Sequence, residues 1–145
     1  MFALEMTPGA RGTAVETLYR LVDAVGLVIT VQGSGDLEQI VGDIVRAAPR
    51  LQEDHEVGAS GLITSRVGLY RVVWGALKCP GGSLAVLVPL SGYEGQNTSD
   101  WTRHFMHEVL DPIQALSTRG YSVGGGGNGR VTRQDFCQAF KHAHT

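Results

Sequence analysis

Apolar residues crowd into two nearly continuous runs, Arg66 to Lys78 and Ser83 to Leu90, separated by Cys79-Pro80-Gly81-Gly82. Runs rich in β-branched and aromatic residues, joined by a proline and two glycines, predict a hairpin of two long strands. In the first run Val67, Leu69, Val73 and Leu77 alternate with Tyr70, Val72, Trp74 and Ala76, and Leu84 to Leu90 repeats the pattern. Both faces of the hairpin are therefore apolar. An antiparallel sheet with one side in water shows polar residues on that side, so both faces are expected to be covered.

The rest of the chain alternates between the two periodicities. Thr13-Ala14-Val15-Glu16 has the form of a capping box, and Val15, Leu18, Val22 and Val25 follow on one helical face. Gly26 stops that helix, and Leu27-Val28-Ile29-Thr30-Val31 is a short β-branched strand. After Gly33-Ser34-Gly35, Asp36 caps a second helix with an apolar stripe of Leu37, Ile40, Val41, Ile44 and Ala48, ended by Pro49. Gln52 to Ser60, the most acidic patch, reads as an exposed loop, and a strand begins near Leu62. Asn97-Thr98-Ser99-Asp100 caps a third helix with Trp101, Phe105, Val109 and Leu110 on its inner side. Asp111-Pro112 predicts a kink or a fresh short helix, closed by Gly120. Gly124 to Gly127 with Asn128-Gly129 reads as a flexible loop, and Arg130 to Thr145 as a final strand or a short helix, the strand preferred because Val131, Phe136, Cys137 and Phe140 form no clean helical stripe.

The length, 145 residues without a repeat or compositional break, predicts one domain over 1–145. Twelve basic residues against 14 acidic leave a formal net charge of -2, which disfavours nucleic acid as the main ligand. Charged residues are 18% of the chain, below the roughly 25% usual for soluble domains, as suits a protein whose outside is partly hidden. No apolar run reaches the ~20 residues of a membrane span, and Met1-Phe2-Ala3-Leu4-Glu5 lacks the features of an export signal. A cytoplasmic protein with no membrane partner is the expectation. Cys79 and Cys137 are too few and too far apart for a disulfide framework or a zinc ribbon.

No strong catalytic or cofactor motif is present, and each candidate competes with a plainer role. His104-Phe105-Met106-His107-Glu108 places two imidazoles and a carboxylate on a helix, a pattern that can bind a transition metal if His55, Cys137, His142 or His144 supplies another ligand. Helical histidine pairs are more often solvated or hydrogen-bonded, so a metal-binding protein or metal-dependent hydrolase using His104, His107 and Glu108 is the alternative reading. Gly124 to Phe136 has the frame of a calcium loop, but Gly124 and Gly126 stand where oxygen ligands are needed and Asp135 is short for the last position. The same glycines lack the Gly-Lys-Ser/Thr of a phosphate loop. Nucleophilic chemistry at Cys79 or Cys137 would need a base such as His142 nearby. Arg71 interrupts an apolar face and must reach water, a carboxylate such as Glu94, or a neighbouring subunit.

Helix, strand, helix, hairpin, helix and closing strand describe an α/β or α+β domain, with a mainly antiparallel sheet and helices packed on one face. This order of elements, in one small chain with a long loop before the hairpin, resembles that of the tail-terminator and neck proteins of tailed bacteriophages, over most of the chain. The resemblance implies a ring-forming, non-enzymatic structural protein of the virion that needs no cofactor. It also implies self-association and contact with neighbouring virion proteins. The physical argument runs the same way: helices cover one side of the sheet, and a neighbouring subunit covers the other. Arg71, Trp74 and Leu87 are the residues expected at that interface, with the Gln52 to Ser60 and Gly124 to Gly129 loops projecting toward a lumen or partner. A peptide or small-molecule binding module, with the ligand on the sheet face, is a further alternative.

Overall fold

Asp36 does what its position before an apolar stripe predicts: its side chain accepts a hydrogen bond from the Gln39 amide at 2.8 Å and starts a helix, α1 (Leu37–Ala47). The computed structural model describes residues 28–58, 62–79, 82–91 and 98–125, together with Thr17, which is helical. The remainder of the first predicted helix, Ser60, Pro80, Gly81, Glu94, Asn97 and the segment from Gly126 through the expected closing strand lie outside the described residues.

Before α1 runs β1 (Ile29–Gly33). After it come a single helical turn, α2 (Arg50–Glu53), and the strands β2 (His55–Val57), β3 (Ile63–Val67), β4 (Tyr70–Cys79) and β5 (Gly82–Ser91). The chain then forms α3 (Thr98–Phe105), a π-helical turn over Met106–Leu110, α4 (Asp111–Gln114), a 3-10 turn over Ala115–Arg119, and β6 (Ser122–Gly125). The strands make one six-stranded sheet in the order β2-β3-β4-β5-β1-β6, every neighbouring pair antiparallel. The fold class is α+β.

The helices from α1 onward pack on one face. Ile29 and Val31, Ile63 and Val67, Tyr70, Val72, Trp74 and Ala76, and Ala85 and Leu87 point into one core with Ile40, Val41, Ile44, Leu51, Phe105, Val109, Ile113 and Leu116. Full burial of each large apolar side chain contributes about 1.5–3 kcal/mol. A polar thread crosses this core: Trp74 donates its indole N–H to Ser65 Oγ at 3.0 Å, and Ser65 donates to the Leu51 carbonyl. It ties the sheet to α2 and leaves neither buried group unpaired.

Four expectations change. The run from Arg66 to Lys78 is not one strand, because Gly68 takes a positive φ of 58° and, with Leu69, makes a two-residue hairpin between Val67 and Tyr70. Glycine first, with its left-handed φ, is the arrangement of a type II′ turn. Leu69 is thus an exposed turn residue rather than part of a sheet face. The acidic stretch from Gln52 is not all loop either; it holds the end of α2 and the edge strand β2, whose three residues are all exposed. Gly124 and Gly125 begin the expected glycine loop but extend along β1 as strand, since ladder hydrogen bonds need only backbone.

At Asp111-Pro112 the π turn gives way to the short helix α4, which starts at Asp111 with Pro112 in its first turn, as the sequence predicts. The Asp111 amide reaches back five residues to the Met106 carbonyl, so the turn is widened just before the proline. Proline has no amide to donate and its ring crowds the carbonyl four residues earlier; the π turn gives it room. Gly120 ends the segment as expected, in the left-handed conformation with φ 93°.

The second face is not uniformly open. Val28, Leu84, Val86 and Val88 are buried within a single chain, apart from the helix-covered core. A neighbouring subunit is therefore not needed to shield them. At the other end of that face Thr64, Val73 and Leu90 are half-buried, and Arg66 and Arg71 are exposed.

Candidate functional site

Five chemistry-bearing side chains meet where α2, β4 and α3 with its π turn come together. Arg50, in the first turn after Pro49, forms an ion pair through Nη1 with Glu108 Oε2, in the π turn. The other Glu108 oxygen lies 3.4 Å from His104 Nδ1, one turn earlier. Arg50 also approaches Glu53 at 3.8 Å. Beneath them is Tyr70, its ring edge-on to Phe105 with centroids 5.7 Å apart and tilted against Trp101 at 6.5 Å.

Tyr70 is fully buried, and its hydroxyl has no hydrogen-bond partner among the described residues. Burial and the nearby Glu108 carboxylate push its pKa well above the usual phenol range, against a smaller opposing effect of Arg50. The phenol stays neutral. An unmade buried hydrogen bond costs about 1–3 kcal/mol, so Tyr70→Phe, which removes the hydroxyl and keeps the ring, is expected to leave stability unchanged or raise it by about 1 kcal/mol. Thermal or denaturant unfolding reads this directly; a loss of stability would show that the hydroxyl has a partner after all.

The histidine and carboxylate candidates are only partly brought together. His104 reaches Glu108, but Arg50 occupies the carboxylate that a metal would need. His107, also in the π turn, is exposed. His55 lies on β2, where its Nδ1 donates to the Gln52 carbonyl at 2.9 Å. Among the described residues no group of three or more histidines, cysteines, aspartates or glutamates could hold a metal ion. Cys137, His142 and His144 lie outside the described residues, as does most of the calcium-loop frame.

A second polar cluster sits between α1 and β6. Asp43, almost fully buried on α1, accepts hydrogen bonds from the Tyr121 hydroxyl and from Arg46. The Tyr121 bond, with Arg46 adding to it, holds the Asp43 carboxyl below the usual carboxylate range despite burial. Burial and that same bond push the Tyr121 phenol up to about 12. The Tyr121 ring lies over Gly33, where an added Cβ would come within 2.5 Å of it. This cluster fastens α1 to the chain entering β6, a structural task.

Of the three residues expected at an interface, Trp74 and Leu87 are 0% exposed. They lie beneath the helices and present nothing to a neighbouring subunit. They share a face with the covered core, and the apolar pattern could not say which face that would be. Arg71 alone is at the surface, its Nε donating to the Ser91 carbonyl at 3.4 Å. The hairpin at Gly68 places Arg66 directly opposite it. Sequence reasoning missed that pairing, although a turn at Gly68 would have revealed it. Compared with known proteins, the chain matches no family model, no curated protein and no solved structure. No helix among the described residues is long and apolar enough to cross a membrane.

Proposed function

We propose that this is a non-enzymatic structural protein that works as a homo-oligomer, of the kind that forms rings at the neck or tail terminus of a tailed bacteriophage, assembling in the cytoplasm and ending in the virion. One observation carries the reading. The second face of the sheet is buried over β5 but left open at the end where Arg66 and Arg71 stand side by side among the half-buried Thr64, Val73 and Leu90. Like charges directly opposite on neighbouring strands repel, and a surface of mixed apolar and arginine character suits protein contact. The polar groups elsewhere support the same reading. Arg50 neutralises Glu108, and Tyr121 and Arg46 satisfy Asp43, so these charges hold elements together.

Light scattering after size exclusion, over a range of concentrations, tests the proposal. A mass that is a multiple of the 15.5 kDa chain is expected. A monomer persisting at the highest concentration would oppose it.

A further inference from the structure

We infer that the open end of the second face is a self-complementary contact, and that its occupant is the same surface of a second copy of this chain. The inference rests on the homo-oligomeric reading above and names the surface through which it acts.

The argument begins with register. Across the edge of the sheet, β4 carries Arg71, β3 carries Arg66 directly opposite, and the Arg66 amide donates to the Asp54 carbonyl at 2.8 Å, which sets Asp54 next in the row. The adjacent row reads Val73, Thr64 and Glu56. Neighbouring strands are about 4.8 Å apart, so the edge of this face is striped: two basic positions, then an acidic column on the outermost strand. Arg66, Arg71, Asp54 and Glu56 are all exposed.

Charge is incompletely paired inside one copy. Glu56 reaches Arg66 at 3.4 Å, across an exposed ion pair of little worth. Arg71 has no carboxylate partner among the described residues; its contact is a backbone carbonyl. A partner that supplies carboxylates over the two arginines, and accepts the stripe in return, removes the repulsion.

A second copy meets both demands. A two-fold axis parallel to the strands, lying above the sheet between β2 and β3, turns the face onto itself and reverses the stripe. The basic column of each copy then stands over the acidic column of the other, with the sheets about 10 Å apart, the ordinary spacing of stacked sheets. Thr64 falls near the axis, and Val73 lies one strand further out. Such a contact closes at two copies, so rings joined through it would pair back to back.

The edge of β2 is a poor competitor for this role. It is three residues long with a charge at its centre, and strand-to-strand pairing about a two-fold axis at Glu56 would oppose identical carboxylates.

The test compares the wild-type chain with two variants by sedimentation and light scattering, folding being checked by circular dichroism. Arg66→Glu with Arg71→Glu makes the stripe wholly acidic and is expected to weaken association at least ~10-fold. Adding Asp54→Arg and Glu56→Arg to it inverts the stripe, restores complementarity and is expected to restore association. Wild-type association should also weaken as salt is raised from about 0.1 M to about 1 M. A folded double variant that associates like the wild type overturns this contact while the homo-oligomer stands. A wild-type chain that is monomeric throughout overturns both. Should the charge reversals prevent folding, loss or persistence of wild-type association in high salt decides the matter alone.

Discussion

Trp74→Ala is expected to lower the free energy of unfolding by about 3–5 kcal/mol, the range for removing a fully buried large aromatic side chain. The indole is the largest fully buried side chain, at the centre of β4, and it donates to Ser65, which in turn donates to the Leu51 carbonyl. Truncation leaves a cavity between sheet and helices and deprives Ser65 of its incoming donor. Trp74→Phe should cost less, since most of the volume survives and only the hydrogen bond is lost. Denaturant unfolding measures both. The variant also separates core from interface: with Trp74 beneath the helices, association should fall only as far as folding does. A fully stable Trp74→Ala chain that no longer associates would return this residue to the surface.

Gly82→Ala is expected to be nearly as damaging, at about 3 kcal/mol, although it adds a single methyl group. A Cβ at Gly82 would lie 1.9 Å from the Gly33 carbonyl oxygen and 2.9 Å from Ser34 Cα, both backbone. No rotamer change relieves such a clash; β1 and β5 must part where Ser83 donates to the Gly35 carbonyl. Gly58 provides the contrast, because a Cβ there meets only the Leu62 carbonyl at 3.6 Å, an ordinary contact. Gly58→Ala should therefore change stability by no more than about 0.5 kcal/mol. Equal unfolding midpoints for the two alanine variants would contradict the close packing of β1 on β5.

These two positions differ in how visible they are in the chain. That Trp74 belongs to a core follows from an apolar run, but which side of the sheet the helices cover does not, because both sides are apolar. α1 is legible because a capping aspartate and a 3.6-residue stripe coincide. The turn at Gly68 is hidden because Gly-Leu between valine and tyrosine carries no polar turn chemistry, and only the backbone angle betrays it. β2 is hidden for the opposite reason: all three of its residues are exposed, so no alternation of apolar and polar positions marks it. β6 escapes notice because glycines pair through backbone alone.

The candidate site divides likewise. His104 and Glu108 share a helix face and their proximity can be read from spacing. Arg50 lies 58 residues earlier and Tyr70 on β4, and nothing local announces that Arg50 will pair with Glu108 or that Tyr70 will lie near it. The cross-strand arginines show the finest dependence on register. With the strand continuous from Arg66 to Lys78 they are five apart and point to opposite faces; with the hairpin at Gly68 they are partners on one face.

That hairpin also shapes how the sheet can come together. β2, β3, β4 and β5 are consecutive in the chain and adjacent in space, so each pairs with its neighbour by closing a short loop. β1 must cross to the far side of β5 and wait for β6, both distant along the chain. Loop closure costs more entropy as the loop lengthens, and non-local pairing slows folding. The meander is thus the self-starting half of the molecule, and capture of β1 is the step on which completion of the sheet depends.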